Sequence, residues 1–177
     1  MALPLTPRYV PAEILTTHHY IFGQLKVPQS GLMGMLSDTT SSYLEVDDAS
    51  MAMIHKPDKV INYIPVLWMV KQQVAAVCLN KYDYAGLQGI MRGGFSRLIP
   101  YPVQITTPTY DISGTLEWSG RFEFPALMSE GTNAFFILTE TVITAPLFPA
   151  LHVETPVALV NRTFLETLFV AKKSDEG

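Results

Sequence analysis

An all-β fold with short helices, built by internal duplication into two small barrel-like modules with a pseudo-two-fold relation, is what this sequence predicts. Two observations carry that prediction. The first is a recurrence: Ile14, Thr16, Ile21, Gly23 and Leu25 return 91 positions later as Ile105, Thr107, Ile112, Gly114 and Leu116. Leu36-Ser37-Asp38 answers to Met128-Ser129-Glu130, Tyr43-Leu44 to Phe135-Phe136, Pro65-Val66 to Pro156-Val157, Lys71 to Arg162 and Lys81 to Lys172. The second is texture. Short β-branched and aromatic runs alternate with turn residues, the spacing of all-β folds rather than of helical bundles.

Taken in order, each copy opens on a proline-containing entry, Pro11 or Pro102, followed by a strand-like run, Ile14 to Phe22 or Ile105 to Ser113. Pro108 inside the second run places that strand at an edge or breaks it. Gly23 and Gly114 come next, where a bulge or a close backbone approach bends the strand onward into Leu25/Val27 or Leu116/Trp118. A helix of one or two turns is expected over Leu32 to Ser37 and Phe124 to Ser129, with Pro125 in its first turn. Strands follow over Tyr43 to Val46 and Ala49 to Ile54, matched by Phe135 to Leu138 and Thr141 to Ala145. A hairpin closes each copy: Ile64 to Val70 with Val74 to Leu79, and Thr155 to Val160 with Phe164 to Val170. Lys71-Gln72-Gln73 and Asn161-Arg162-Thr163 supply its polar turns. The boundaries are 1–80 for the first unit with its entry, 81–102 for a packed connection, and 103–177 for the second unit with its tail. Gly86, Gly89, Gly93 and Gly94 lie in that connection, where a short helix is expected over Leu87 to Met91.

Of the 177 residues, 48% are hydrophobic and 16% charged, against about 25% charged in an average domain. That excludes intrinsic disorder and leaves few charges to cover a monomer, so an oligomer or a protein partner is expected. The net charge of −4, with no dense basic stripe, disfavours general binding of nucleic acid. Arg92 and Arg97, with Lys81, are the candidate anion or nucleic-acid contacts. The single cysteine, Cys78, lies in an apolar run and reads as a buried small hydrophobe, which fits a reducing compartment. Residues 1–12 lack the apolar core of a secretory signal. Val60 to Leu79 is interrupted by Asn62, Pro65 and Lys71, so strands are expected there instead of a membrane span.

No motif supplies a catalytic constellation. The glycine-rich connection lacks Gly-Lys-Ser/Thr and the dinucleotide spacing. His18 and His19 point to opposite faces of a strand and cannot share an ion in regular geometry; no His/Cys cluster has metal-ligand spacing. Asp47-Asp48 and Glu140 read as solvated turn residues, and Ser37-Asp38 and Ser129-Glu130 as helix ends.

Ile21, Gly23, Leu25 and Leu36-Ser37-Asp38 in the first copy, with Ile112, Gly114, Leu116 and Val160-Asn161-Arg162 in the second, carry a resemblance to an uncharacterised family of small bacterial β-domains. That family's pattern is Ile-x-Gly-x-Leu, then Leu-Ser-Asp, then hydrophobic-Asn-basic. The resemblance implies no activity. A looser similarity of the bent strands to Sm-like barrels is one of fold alone. The expectation is a cytoplasmic, non-catalytic binding or scaffold protein that self-associates or docks on a protein partner, with no cofactor, no metal and no membrane span. The alternative is an Sm-like or ligand-sensing module that binds RNA or a nucleotide near Arg92 and Arg97.

Overall fold

In the computed structural model, which describes residues 8–86, 97–129 and 133–172, the chain is mostly β. The N-terminal five strands are β1 (Arg8–Leu15), β2 (His19–Val27), β3 (Tyr43–Met53), β4 (Val60–Val70) and β5 (Ala76–Leu79), with helix α1 (Gly31–Ser37) between β2 and β3. The C-terminal five are β6 (Leu98–Thr106), β7 (Asp111–Ser119), β8 (Phe135–Thr144), β9 (His152–Asn161) and β10 (Thr167–Val170), with α2 (Phe124–Ser129) between β7 and β8. All ten form one antiparallel sheet in the order β10-β6-β7-β8-β9-β5-β1-β2-β3-β4.

The expected barrel-like modules do not close. Within the described residues β4 and β10 each pair on one side only, so the sheet stays open at both ends. The expected two-fold packing is not what joins the halves either. A two-fold axis brings like edges together, whereas here β5 meets β9, and in the N-terminal half β5 occupies the place that β10 holds in the C-terminal half.

Five antiparallel steps separate each strand from its counterpart, so β5 and β10 run in opposite directions, as do β1 and β6. Superposing the halves therefore takes a half-turn about a line across the strands plus a shift along the sheet, and the half-turn exchanges the faces. Two cores follow, one on each face. The first gathers Ile14, Ile21, Leu25, Leu44 and Val46 with Val77, Leu79, Val157 and Leu159. The second gathers Ile105, Ile112, Leu116 and Leu138 with Ala76, Cys78, Ala158 and Val160. Alternate residues of β5 and β9 face alternate cores, which is why β5 is buried at every position.

Local detail recurs at the same spacing. The chain reverses after β1 through Thr16, whose hydroxyl accepts from His19 N at 3.1 Å, and after β6 through Thr107, which accepts from Tyr110 N at 2.8 Å. These side-chain turns divide what the sequence suggests is one strand, and Pro108 falls in the second of them. The β2–β3 register shifts between Phe22 and Gln24, and the β7–β8 register between Ser113 and Thr115, so Gly23 faces Asp48-Ala49 and Gly114 faces Glu140-Thr141: the bulges lie on β3 and β8, and the glycines are the close approaches opposite them. A Cβ on Gly23 would lie 2.5 Å from Val46 Cγ1. Within the bulges, exposed Asp48 and Glu140 hold positive φ, 49° and 46°. They kink one long strand; they do not sit in a turn between two. The connection is shorter than expected, since β6 already includes 98–102, while the helix expected over Leu87 to Met91 lies outside the described residues.

Candidate functional site

Of the three cationic residues named from the sequence, Arg92 lies outside the described residues. Arg97 is exposed just before β6, and Lys81 is exposed after β5. Lys81 Nζ stands 5.7 Å from the centre of the Tyr84 ring, and the Arg8 guanidinium stands 5.1 Å from the same centre. The cations on this ring thus include Arg8, which the sequence did not single out because it precedes the first recurring position.

Cys78 is fully enclosed, and burial, with Glu13 nearby, pushes its thiol far above the ordinary range. The four histidines are spread: His18, His55 and His152 are exposed and His19 half-buried. His152 Nε2 lies 3.0 Å from Glu154 Oε1 at the surface. Among the described residues no three His, Cys, Asp or Glu side chains cluster as metal ligands would, and no helix is long and apolar enough to cross a membrane. Ser129 Oγ donates to Pro125 O at 2.7 Å, the bond of a helix end.

A cleft of about 370 Å³ opens beside β7 and β8, lined by Met33, Tyr82, Glu117, Trp118, Phe135 and Arg162 among others. Arg162 on its wall and Lys71, 91 positions earlier and outside the cleft, act alike. Lys71 Nζ donates to Met35 O at 2.7 Å and to Asp38 O at 3.0 Å, and Arg162 Nη1 donates to Leu127 O at 3.2 Å. Each cation ties the end of a short helix to the strand hairpin, satisfying carbonyls that a helix C-terminus leaves open. Burial pulls the Lys71 ammonium below its usual range, opposed by the charge of Asp38. Burial, then Glu117, pushes the Tyr82 phenol up.

Among the described residues the two ends of the sheet are left without an outer strand. β4 reads Val-Ile-Asn-Tyr-Ile-Pro-Val-Leu-Trp-Met-Val without one charged residue. It exposes Ile61, Tyr63 at 80%, Val66, Trp68 at 65% and Val70. At the other end β10, Thr-Leu-Phe-Val, exposes Phe169 at 58% and Val170. Free edges of monomers are ordinarily blunted by charge, proline or a covering element. Pro65 is the only such device on β4, and it sits beside a continuous apolar stretch. The apolar content was legible in the sequence; that these strands are the ends of the sheet was not, because edge position is set by pairing between distant segments.

No family model matches the chain, and no curated protein or solved structure is significantly similar to it.

Proposed function

We propose that this chain is a non-catalytic binding or scaffold protein of two tandem, duplicated β units that self-associates or docks on a protein partner. One observation carries the reading: among the described residues neither end strand of the sheet has an outer neighbour, and both expose apolar side chains. An exposed strand edge offers a row of backbone donors and acceptors that can be satisfied by adding a strand from another chain, and apolar side chains on both faces of that edge add burial. The recurrence of Thr16 and Thr107, Gly23 and Gly114, and Asp48 and Glu140 in the same local geometry supports duplication as the origin of the two units. A reducing, cytoplasmic setting accords with the lone buried cysteine.

Static light scattering on the purified chain tests the reading, together with affinity capture using wild type and a Trp68→Lys variant. Assembly above the 19.7 kDa of one chain, or capture of a defined protein that Trp68→Lys abolishes, is the expected result. A strict monomer that captures nothing at either edge would overturn it.

A further inference from the structure

The joint inside the chain gives a template for the joint between chains. We propose that copies of this protein assemble head to tail, the β4 edge of one copy adding to the β10 edge of the next in the arrangement by which β9 adds to β5. The inference rests on the scaffold reading and names its partner: a second copy of this chain.

The edges of the two halves are equivalent in pairs. In the C-terminal half β9 is the strand at the end of the order and in the N-terminal half β4 is, while β10 and β5 occupy the opposite ends. Within the chain, one edge of each kind is consumed: Ala76 pairs with Val160, Val77 with Leu159, Cys78 with Ala158 and Leu79 with Val157. The edges left over are again one of each kind. Shifting by the 91-residue offset turns that register into a specific one between copies: Met69 opposite Thr167, Trp68 opposite Leu168, Leu67 opposite Phe169 and Val66 opposite Val170. Such an interface is heterologous, so it propagates into a ring or a filament instead of stopping at a two-fold dimer.

The side chains agree with this register. Leu159 and Val157 reach across the internal joint into the first core. Their counterparts, Trp68 and Val66, point away from their own core and are 65% and 37% exposed. In the docked register they share a face with Leu168 and Val170, where Leu168 already packs on the second core. On the other face Phe169, 58% exposed, meets Leu67 and Met69, which line the first core. Pro156 lies one residue beyond the paired stretch of β9, and Pro65 holds the same place on β4, so the missing N–H falls outside the ladder in both cases. The internal joint is further clamped by Asn161 Nδ2 to Val74 O at 2.9 Å and Thr155 Oγ1 to Leu79 O at 2.8 Å. At those positions β4 carries Val70 and Ile64, so no side chain of an internal-clamp type would need a partner at the outer joint.

Complementation between singly blocked copies tests the direction of assembly. Trp68→Lys blocks β4 and leaves β10 intact; Phe169→Lys does the reverse. Both positions are solvent-exposed, and circular dichroism and a thermal melt check that each variant folds. Each variant alone is expected to run at 19.7 kDa while wild type assembles, and an equimolar mixture is expected to give a 1:1 complex of twice that mass and nothing larger. A second pair of substitutions does not depend on blocking. The double variant Val66→Cys/Val170→Cys should yield a ladder of disulfide-linked multimers on mild oxidation, with neither single variant forming a ladder, and Cys78 is too deeply buried to interfere. Wild-type assembly that survives both lysine variants, or Val66→Cys alone giving covalent dimers, overturns head-to-tail pairing and leaves the scaffold reading standing. Wild type that is monomeric throughout overturns this inference, and the scaffold reading then falls or stands on partner capture alone.

Discussion

Replacing Asn161 by alanine removes the polar clamp of the internal joint, and its cost can be worked from the bonds it makes. Asn161 is 1% exposed. Its Nδ2 donates to Val74 O at 2.9 Å, and its Oδ1 accepts from Thr163 N at 3.1 Å and Thr163 Oγ1 at 2.8 Å. Truncation leaves the Val74 carbonyl without that donor in a buried setting, which costs about 1–3 kcal/mol. It also uncaps the 3-10 turn that follows, a loss of about 1 kcal/mol by analogy with helix caps. The sum, about 2–4 kcal/mol, lowers Tm by about 5–15 °C for a chain of this length. Val70 is the counterpart on the free edge and is 52% exposed, so Val70→Ala should change monomer stability by only about 0.5 kcal/mol. The two variants are compared by circular dichroism melts at a concentration low enough to keep the chain monomeric. Because β5 and β9 contribute to both cores, the melt should also remain a single transition. A loss at Asn161 no larger than that at Val70 would refute the clamp, and two resolved transitions would refute the shared core.

Three further outcomes follow from the same structure. Gly23→Ala places a methyl group 2.5 Å from Val46 Cγ1 and 3.0 Å from Asp47 O, whereas Gly114→Ala meets Thr141 Oγ1 at 3.0 Å and Thr139 O at 3.1 Å. Both overpack the close approach to a facing bulge, at about 1–3 kcal/mol, with Gly23→Ala the worse in chemical denaturation; the reverse order would contradict the geometry. Cys78 should resist a thiol reagent in the native state and react on unfolding, since its thiolate is disfavoured by burial; rapid native labelling counts against the enclosed β5. Asp38 is held below the usual carboxylate range by hydrogen bonds from the Thr40 hydroxyl and backbone N–H, aided by Lys71. Its stabilising contribution is present above the unfolded-state value, about pH 4, and is lost as pH falls through the lower folded value. Asp38→Asn should therefore flatten the fall of Tm below about pH 4, and an unchanged acid limb would remove Asp38 from that account.

Local signals were read well where the cause is local. The helices over Leu32 to Ser37 and Phe124 to Ser129 stand within a residue of α1 and α2, and Gly23 and Gly114 are close backbone approaches, each facing a bulge on the neighbouring strand. Five strands per half were expected and five occur, but by two compensating errors. The runs 14–27 and 105–118 are hairpins, because Thr16 and Thr107 offer a side-chain turn that a β-rich pattern hides. Conversely, the segments on either side of Asp48 and Glu140 are single strands, because a positive-φ residue within a bulge lets the ladder continue on both sides of it. Prolines misled in a consistent way. Pro11 and Pro102 mark the entry to each copy in the sequence, yet they lie within β1 and β6. Each turns its backbone polar groups to the side away from β2 or β7: β5 pairs with β1 only from Ala12 onward, and on β6 Pro102 O accepts from Ala171 N at 2.7 Å. The missing N–H therefore faces outward and costs no ladder bond. Arg8 on the Tyr84 ring and the openness of β4 and β10 depend on long-range pairing, which no local window reports.

Comparing counterpart positions separates what the fold demands from what an outer joint would use. Threonine turns, the glycine facing each bulge and the cation over each short helix occur in both halves, since each half needs them to form five strands. The strands at the two joints differ in the direction that exposure alone would not produce. β9, already paired on both sides, carries His152, Glu154, Thr155 and Asn161, whereas β4, open on one side, carries no charge and presents Tyr63, Val66 and Trp68 to solvent. Solvent exposure selects for charge on a free edge. An edge more apolar than its buried counterpart is what a strand reserved for pairing should look like, and the matching shortage of charge on β10 puts the same property on the complementary end.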